Sequence, residues 1–180
     1  MKQTQNVGLH ALMEVNQILP WQDGKLGAFH IGFVLGPCLN ASGRLDSAQR
    51  AMELLDSKTR EAAVAQAAFL KQLNDSRKEM TEEYVKIAVE MIESGPLKDD
   101  RVLVVFLPDC HESIAGIIAG RIRERYYRPT FVLTRGEEGV KGSARSIEGY
   151  HMYEEMTKCS SFFTKYGGHK MAAGLSMREE

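Results

Sequence analysis

Between positions 59 and 94 the chain carries neither proline nor glycine. Over that stretch Phe69, Leu73, Met80, Tyr84, Ile87, Ala88 and Met91 recur at helical spacing, which places apolar side chains on one face. The pattern predicts one or two long amphipathic helices, up to ~54 Å if continuous at 1.5 Å per residue. Ser94-Gly95-Pro96 stops the pattern. In a chain of 180 residues a helix of that length is a connector more than a core element, and its charged faces are expected in solvent. It separates two regions of different character, 1–95 and 96–180.

The first region reads as helix and loop throughout. Residues 8–19 show helical spacing at Leu9, Leu12, Val15 and Ile18 and end at Pro20. Residues 29–39 are apolar and close with Asn40-Ala41-Ser42-Gly43-Arg44, and residues 47–55 are helical again with Asp46 as the expected N-cap.

After Pro96 the pattern changes. Val102-Leu103-Val104-Val105-Phe106-Leu107 is a continuous β-branched and aromatic run, expected as a strand buried on both faces. Ile114, Ile117, Ile118 and Ile122 then step at helical spacing from Ser113 to about Tyr126, and a second strand follows over residues 130–134. This is a βαβ unit, so the two strands should be parallel with a right-handed crossover. Gly116 and Gly120, one turn apart, are expected to let the helix sit close on the sheet, and Arg121, Arg125 and Arg128 to form a solvated outer face. Gly136-Glu137-Glu138-Gly139 predicts a turn into an antiparallel strand over 140–146. A short helix over 151–158, a Gly-Gly-His loop and a last strand at about 172–177 complete the reading. The expected fold class is α/β: a helical N-terminal connector region with a long helix, then a small mixed-sheet α/β domain containing the βαβ unit.

Hydrophobic residues make up 43% and charged residues 26%, an ordinary globular composition. No apolar run approaches the ~20 residues that span a bilayer, so a cytoplasmic location is expected. Cys38, Cys110 and Cys159 are far apart and form no C-x-x-C pair, which suits a reducing compartment. The nearest approach to a metal cluster is Asp109-Cys110-His111-Glu112, but neighbours on an extended segment point to opposite faces. A net charge of −1 argues against a bulk electrostatic nucleic-acid binder. The cations nevertheless lean to one side: residues 101–180 carry twelve Lys and Arg against ten Asp and Glu, residues 1–100 eleven against fourteen.

Two glycine-containing segments lie in the cationic region. Tyr166-Gly167-Gly168-His169-Lys170-Met171-Ala172-Ala173-Gly174 pairs two glycines with an imidazole and an ammonium, and adjacent glycines can bring backbone amides up to phosphate oxygens. In Lys141-Gly142-Ser143-Ala144-Arg145-Ser146 a hydroxyl and a guanidinium two residues apart share a face if the segment is extended. Either segment alone also reads as a glycine turn beside a surface strand. Together they resemble the two lips of a phosphate-binding cleft.

Four motifs carry a resemblance. Gly36-Pro37-Cys38-Leu39-Asn40-Ala41-Ser42-Gly43-Arg44, the run from His111 to Arg121, Gly142-Ser143-Ala144-Arg145-Ser146-Ile147-Glu148-Gly149 and Tyr166 to Gly174 occur in the order and spacing of the RecJ single-stranded-DNA exonucleases, members of the DHH phosphoesterase superfamily. The chain resembles the connector helix and the C-terminal DHH-associated domain of such an enzyme, and it contains no Asp-His-His triplet. The resemblance implies 5′–3′ exonuclease action in DNA repair and recombination, with two Mn²⁺ or Mg²⁺ ions held by an N-terminal DHH domain that is missing here. It further implies that Asn40, Arg44, His111, Ser143, Arg145, Gly167, Gly168 and His169 bind the strand and its phosphate, with no catalytic residue in this chain. His111 also reads as a simple helix cap. The family usually has arginine where Cys38 stands, and a thiol cannot replace that guanidinium. The implied partners are single-stranded DNA and the DHH domain, with no membrane.

Two rival readings remain. A DHH-family oligoribonuclease or cyclic-dinucleotide phosphodiesterase carries a similar Gly-Gly-His segment, although Gly43-Arg44 and Ser146 to Gly149 favour RecJ. The other is a non-catalytic nucleic-acid-binding module, which is the expectation for the isolated chain.

Overall fold

The computed structural model describes residues 4–18 and 26–179. Pro20, the expected end of the first helix, lies outside the described residues. The chain forms two compact units, residues 1–79 and residues 80–180.

The first unit is helical, as its periodicity predicts. Helix α1 (Val7–Val15) is capped by Asn6, whose side-chain oxygen accepts the Leu9 amide at 2.9 Å. A helical stretch follows: one α turn at Ala28–His30, a π-helical turn at Ile31–Leu35, and α2 (Gly36–Leu45). The wide turn immediately precedes Pro37, which has no N–H to give and whose ring crowds the carbonyl four residues back. Asn40 to Arg44 therefore lie within helix α2 rather than in a closing loop. Helix α3 (Gln49–Leu55) begins after Ala48, not after Asp46. The Ser47 hydroxyl accepts the Gln49 amide at 3.2 Å, and Asp46 instead pairs with Arg50 one turn on.

Helix α4 (Arg60–Ser94) is one unbroken helix of 35 residues. It is a core element as well as a connector. Ala63, Ala67 and Leu70 are buried with Leu12, Met13, Leu35 and Leu54 in the first unit, and Ala88 and Ile92 are buried in the second. The buried stripe is made of smaller side chains than the sequence pattern suggests. Ile87 and Met91, both on the expected apolar face, are exposed.

The second unit contains a five-stranded sheet of order β1-β2-β3-β5-β4, built from β1 (Leu103–Phe106), β2 (Thr130–Gly136), β3 (Gly139–Arg145), β4 (Lys165–His169) and β5 (Ala172–Met177). Strands β1 and β2 are parallel across helix α5 (Glu112–Tyr126), and all other pairings are antiparallel. The turn at Glu137-Glu138 closes the β2–β3 hairpin where Gly136 faces Gly139. The Gly-Gly-His segment is strand β4, not a loop.

Helix α5 and the C-terminal half of α4 cover one sheet face, burying Leu103, Val105, Val132, Ile114, Ile118 and Ile122 together. On the other face the short helix α6 (Met152–Lys158) buries Met152 and Met156 against Ala144, Ala173 and Leu175. Seven residues do not reach the far edge of the sheet, so β1 is buried on one face only. Its Val104 and Phe106 are 46% and 38% exposed, which corrects the expectation of burial on both faces. Nor are Arg125 and Arg128 simply solvated. Arg125 donates to Glu93 at 3.1 Å, and Arg128 donates to the carbonyls of Lys98 and Asp100 beyond the end of α4.

Candidate functional site

Strand register decides which side chains meet. Directly opposed residues share a face, and the pairings across β3, β5 and β4 generate three parallel rows. They are Lys141–Ser176–Lys165, Ser143–Gly174–Gly167 and Arg145–Ala172–His169. Cations stand at the four corners when His169 is charged, and the middle row holds two glycines and a serine. The floor is thus backbone, with its rim charged.

The N-terminal end of α5 closes this face on one side. The loop leading into it is pinned at three points: the Leu107 amide donates to the Leu133 carbonyl at 2.8 Å, the Thr134 hydroxyl to the Cys110 carbonyl, and the Tyr84 hydroxyl to the Asp109 carbonyl at 2.6 Å. Glu112 and Ser113 consequently overhang the sheet. With Lys141, Ser143, Lys165, Gly167, Gly174 and Ser176 they line a hollow of about 440 Å³. Within it Lys141 Nζ lies 2.7 Å from Glu112 Oε2, and that carboxylate raises the lysine pKa.

Ser143 and Gly167 line the hollow, while Arg145 and His169 occupy the adjoining row. The Arg145 Nη1 donates to the Ala144 carbonyl at 2.8 Å. The His169 Nδ1 accepts the Met171 amide at 3.3 Å, which leaves Nε2 to carry the proton of the neutral ring. Gly168 has the opposite parity. A Cβ there would lie 2.5 Å from the Ala172 carbonyl oxygen and 2.6 Å from Ala173 Cα, so this glycine is required for β4 to lie against β5. His111 caps α5: its Nδ1 accepts the Ser113 amide at 3.3 Å and lies 2.7 Å from the Ser113 hydroxyl.

Gly116 and Gly120 are not equivalent, although both were expected to serve helix–sheet packing. A Cβ on Gly116 would fall 2.7 Å from Arg145 Nη2 and 3.0 Å from Ser143 Oγ, whereas one on Gly120 would meet nothing within 4 Å.

Asn40 and Arg44 belong to the first unit, exposed and one turn apart on α2. Cys38 on the same helix is fully buried beside Asn16, and burial raises its thiol pKa. It offers no anion contact.

Lys165 and Ser176 are not named in the motifs above, and Lys141 enters there only as the first residue of its segment. Parity would have found them: Lys165 stands two and four residues before Gly167 and His169, but it shares their face only if the segment is a strand. Among the described residues no group of three or more His, Cys, Asp or Glu could hold a metal ion. No helix among them is long and apolar enough to cross a membrane.

This mixed sheet with helices on both faces has known counterparts. The DHHA1 domain model matches residues 99–180. The RecJ single-stranded-DNA-specific exonuclease of Bacillus subtilis is 36% identical over 185 aligned positions, covering all of this chain and 23% of that protein. That of Haemophilus influenzae is 41% identical, covering 83% of this chain and 28% of that protein. The crystal structure of Thermus thermophilus RecJ in complex with Mg²⁺ superposes with a TM-score of 0.83 at 30% identity, over 98% of this chain and 26% of that one. Over its whole length this chain is similar to part of the RecJ exonucleases, and residues 99–180 carry a DHHA1 domain. The chain spans between about a fifth and a third of the RecJ relatives it matches, in the part that carries the DHHA1 domain. The four motifs that resemble RecJ in the sequence thus fall on α2, α5, β3 and the β4–β5 hairpin of a fold shared with a RecJ structure.

Proposed function

We propose that this chain is the strand-gripping part of a RecJ-like 5′–3′ exonuclease that degrades single-stranded DNA in cytoplasmic repair and recombination. The observation that carries the reading is the face where Lys141, Lys165, Arg145 and His169 surround a floor of Gly167 and Gly174. Glycine lets a phosphodiester backbone approach the sheet closely, and Arg145 and His169 supply donors to its oxygens. Ser143 adds a hydroxyl. His111 contributes from the cap of α5, and Gly168 by holding β4 in place; Asn40 and Arg44 are proposed as strand contacts of the first unit in their own right, on the resemblance alone. In functional terms the division falls near residue 95, with helices before it and the strand-binding domain after it.

Hydrolysis in this reading belongs to the DHH domain and its two Mn²⁺ or Mg²⁺ ions, which activate water and position the scissile phosphate. The described residues do not provide a donor set for such ions. In this reading no hydrolytic step is assigned to this chain, and alone it binds without cutting.

Fluorescence anisotropy with labelled single strands of different base composition tests the reading. Binding is expected to be similar for all of them, with a log–log salt slope reflecting only a few phosphates. Arg145→Ala should weaken binding about tenfold regardless of base sequence. A loss confined to one base composition would contradict a backbone role. In the complete enzyme, a preference for di- to tetranucleotides over long strands would favour the oligoribonuclease reading instead.

A further inference from the structure

Gly116 lies on α5 directly over the row that ends in Arg145. The distances already given show that the space a Cβ would occupy is filled by the Arg145 guanidinium and the Ser143 hydroxyl, with Arg145 Cζ at 3.4 Å. These two groups come from one strand and converge on a helix position without a side chain. We propose that Gly116 is a positioning residue for the strand-binding face: its missing side chain is the slot that sets where the Arg145 guanidinium and the Ser143 hydroxyl present their donors. The inference rests on the reading of that face as a DNA-backbone site.

The physical argument separates positioning from packing. The atoms a methyl group would strike are the far ends of side chains, not backbone, so the helix and sheet can stay where they are while the guanidinium swings out of the slot. Alanine also has the higher helix propensity, so the substitution should leave the fold intact or stabilise it. What it changes is the aim of Arg145. A guanidinium recognises a phosphate through a fixed fork of donors, and that recognition is lost when the fork is displaced by an ångström or so. Gly120, one turn along the same helix, has open space around its Cβ position. It provides a matched control with the same propensity change and no neighbour to displace.

The test uses the 180-residue chain with Gly116→Ala, Gly120→Ala, Arg145→Ala and the double substitution G116A/R145A. Each is measured for thermal melting and for binding to labelled oligothymidylate. Gly116→Ala should melt at or above the parent temperature yet bind about tenfold more weakly, as the loss of a charge-assisted contact implies. Gly120→Ala should bind like the parent. The double variant should lose clearly less than the sum of the two single losses, because the larger part of the slot's effect acts through that guanidinium and only the Ser143 part is left to add. Parent-like affinity in Gly116→Ala while Arg145→Ala is weakened would overturn the proposal, as would fully additive losses in the double variant. If Arg145→Ala itself binds like the parent, the DNA-backbone reading fails first and the slot has no function to serve.

Discussion

Glu112 places a carboxylate at the lip of a face otherwise suited to an anion, 2.7 Å from Lys141. Both side chains are nearly half exposed, so their pairing contributes little to stability. Its effect on binding is larger in principle, because the carboxylate both occupies Lys141 and repels a phosphate. Glu112→Gln should therefore raise single-strand affinity by about fivefold at low salt, with the gain shrinking as salt screens it. Anisotropy titrations at two ionic strengths check this, and a drop in affinity would mean that Glu112 serves mainly to hold Lys141 in place. Cys110 illustrates a different residue-level effect. Burial pushes its thiol up to about 11, above the ~8.5 of an unfolded cysteine. The native state thus favours the protonated form: the stabilisation is complete below about pH 8.5 and is lost as pH rises toward the folded value. Melting temperature should fall over that window, and the fall should be shallower in Cys110→Ala.

At the level of elements, β4 shows most clearly why a motif can be read correctly and placed wrongly. Tyr166-Gly167-Gly168-His169 has the composition of a turn, and nothing local marks it as extended. It becomes a strand because β5 pairs with it across the whole segment from Lys165 to His169. Gly168 makes that pairing possible. Gly168→Ala would press a methyl group on the backbone of Ala172 and Ala173, atoms that cannot turn aside, and should cost about 1–3 kcal/mol. Urea unfolding measures the loss, and faster amide exchange in β4 than in β2 would localise it to this edge of the sheet. Helix α4 carries the converse lesson. Its existence and limits are legible in the absence of proline and glycine, but the stripe it buries is not. Alanines 63, 67 and 88 are inside with Leu70 and Ile92, and Ile87 and Met91 are outside.

For the whole molecule, each of the two units has its own apolar packing and buries its own segment of α4, and the second unit has a further cluster on the other face of its sheet. The donor set for catalytic ions is lacking among the described residues of both. If, as proposed, hydrolysis belongs to a DHH domain, adding Mn²⁺ to the purified chain should leave single-stranded DNA uncut and the melting temperature unchanged. Gel analysis of a labelled strand and a melting scan check the two halves of this expectation. Cleavage that co-purifies with the chain would sink the view of it as a binding part.

The sequence by itself determined the helical first region, the long helix, the parallel β1–β2 crossover and the motifs that mark the RecJ family, because each depends on periodicity, breakers or short ordered motifs. Only the tertiary structure decided that Ser143, Gly174 and Gly167 form one row, that Lys165 joins the face while Gly168 turns away, and that Gly116 rather than Gly120 opens a slot. Those facts depend on strand register and on which helix crosses which strand. A shift of one residue in pairing would have exchanged every side chain between the two faces of the sheet, and no local pattern in β4 chooses between the alternatives.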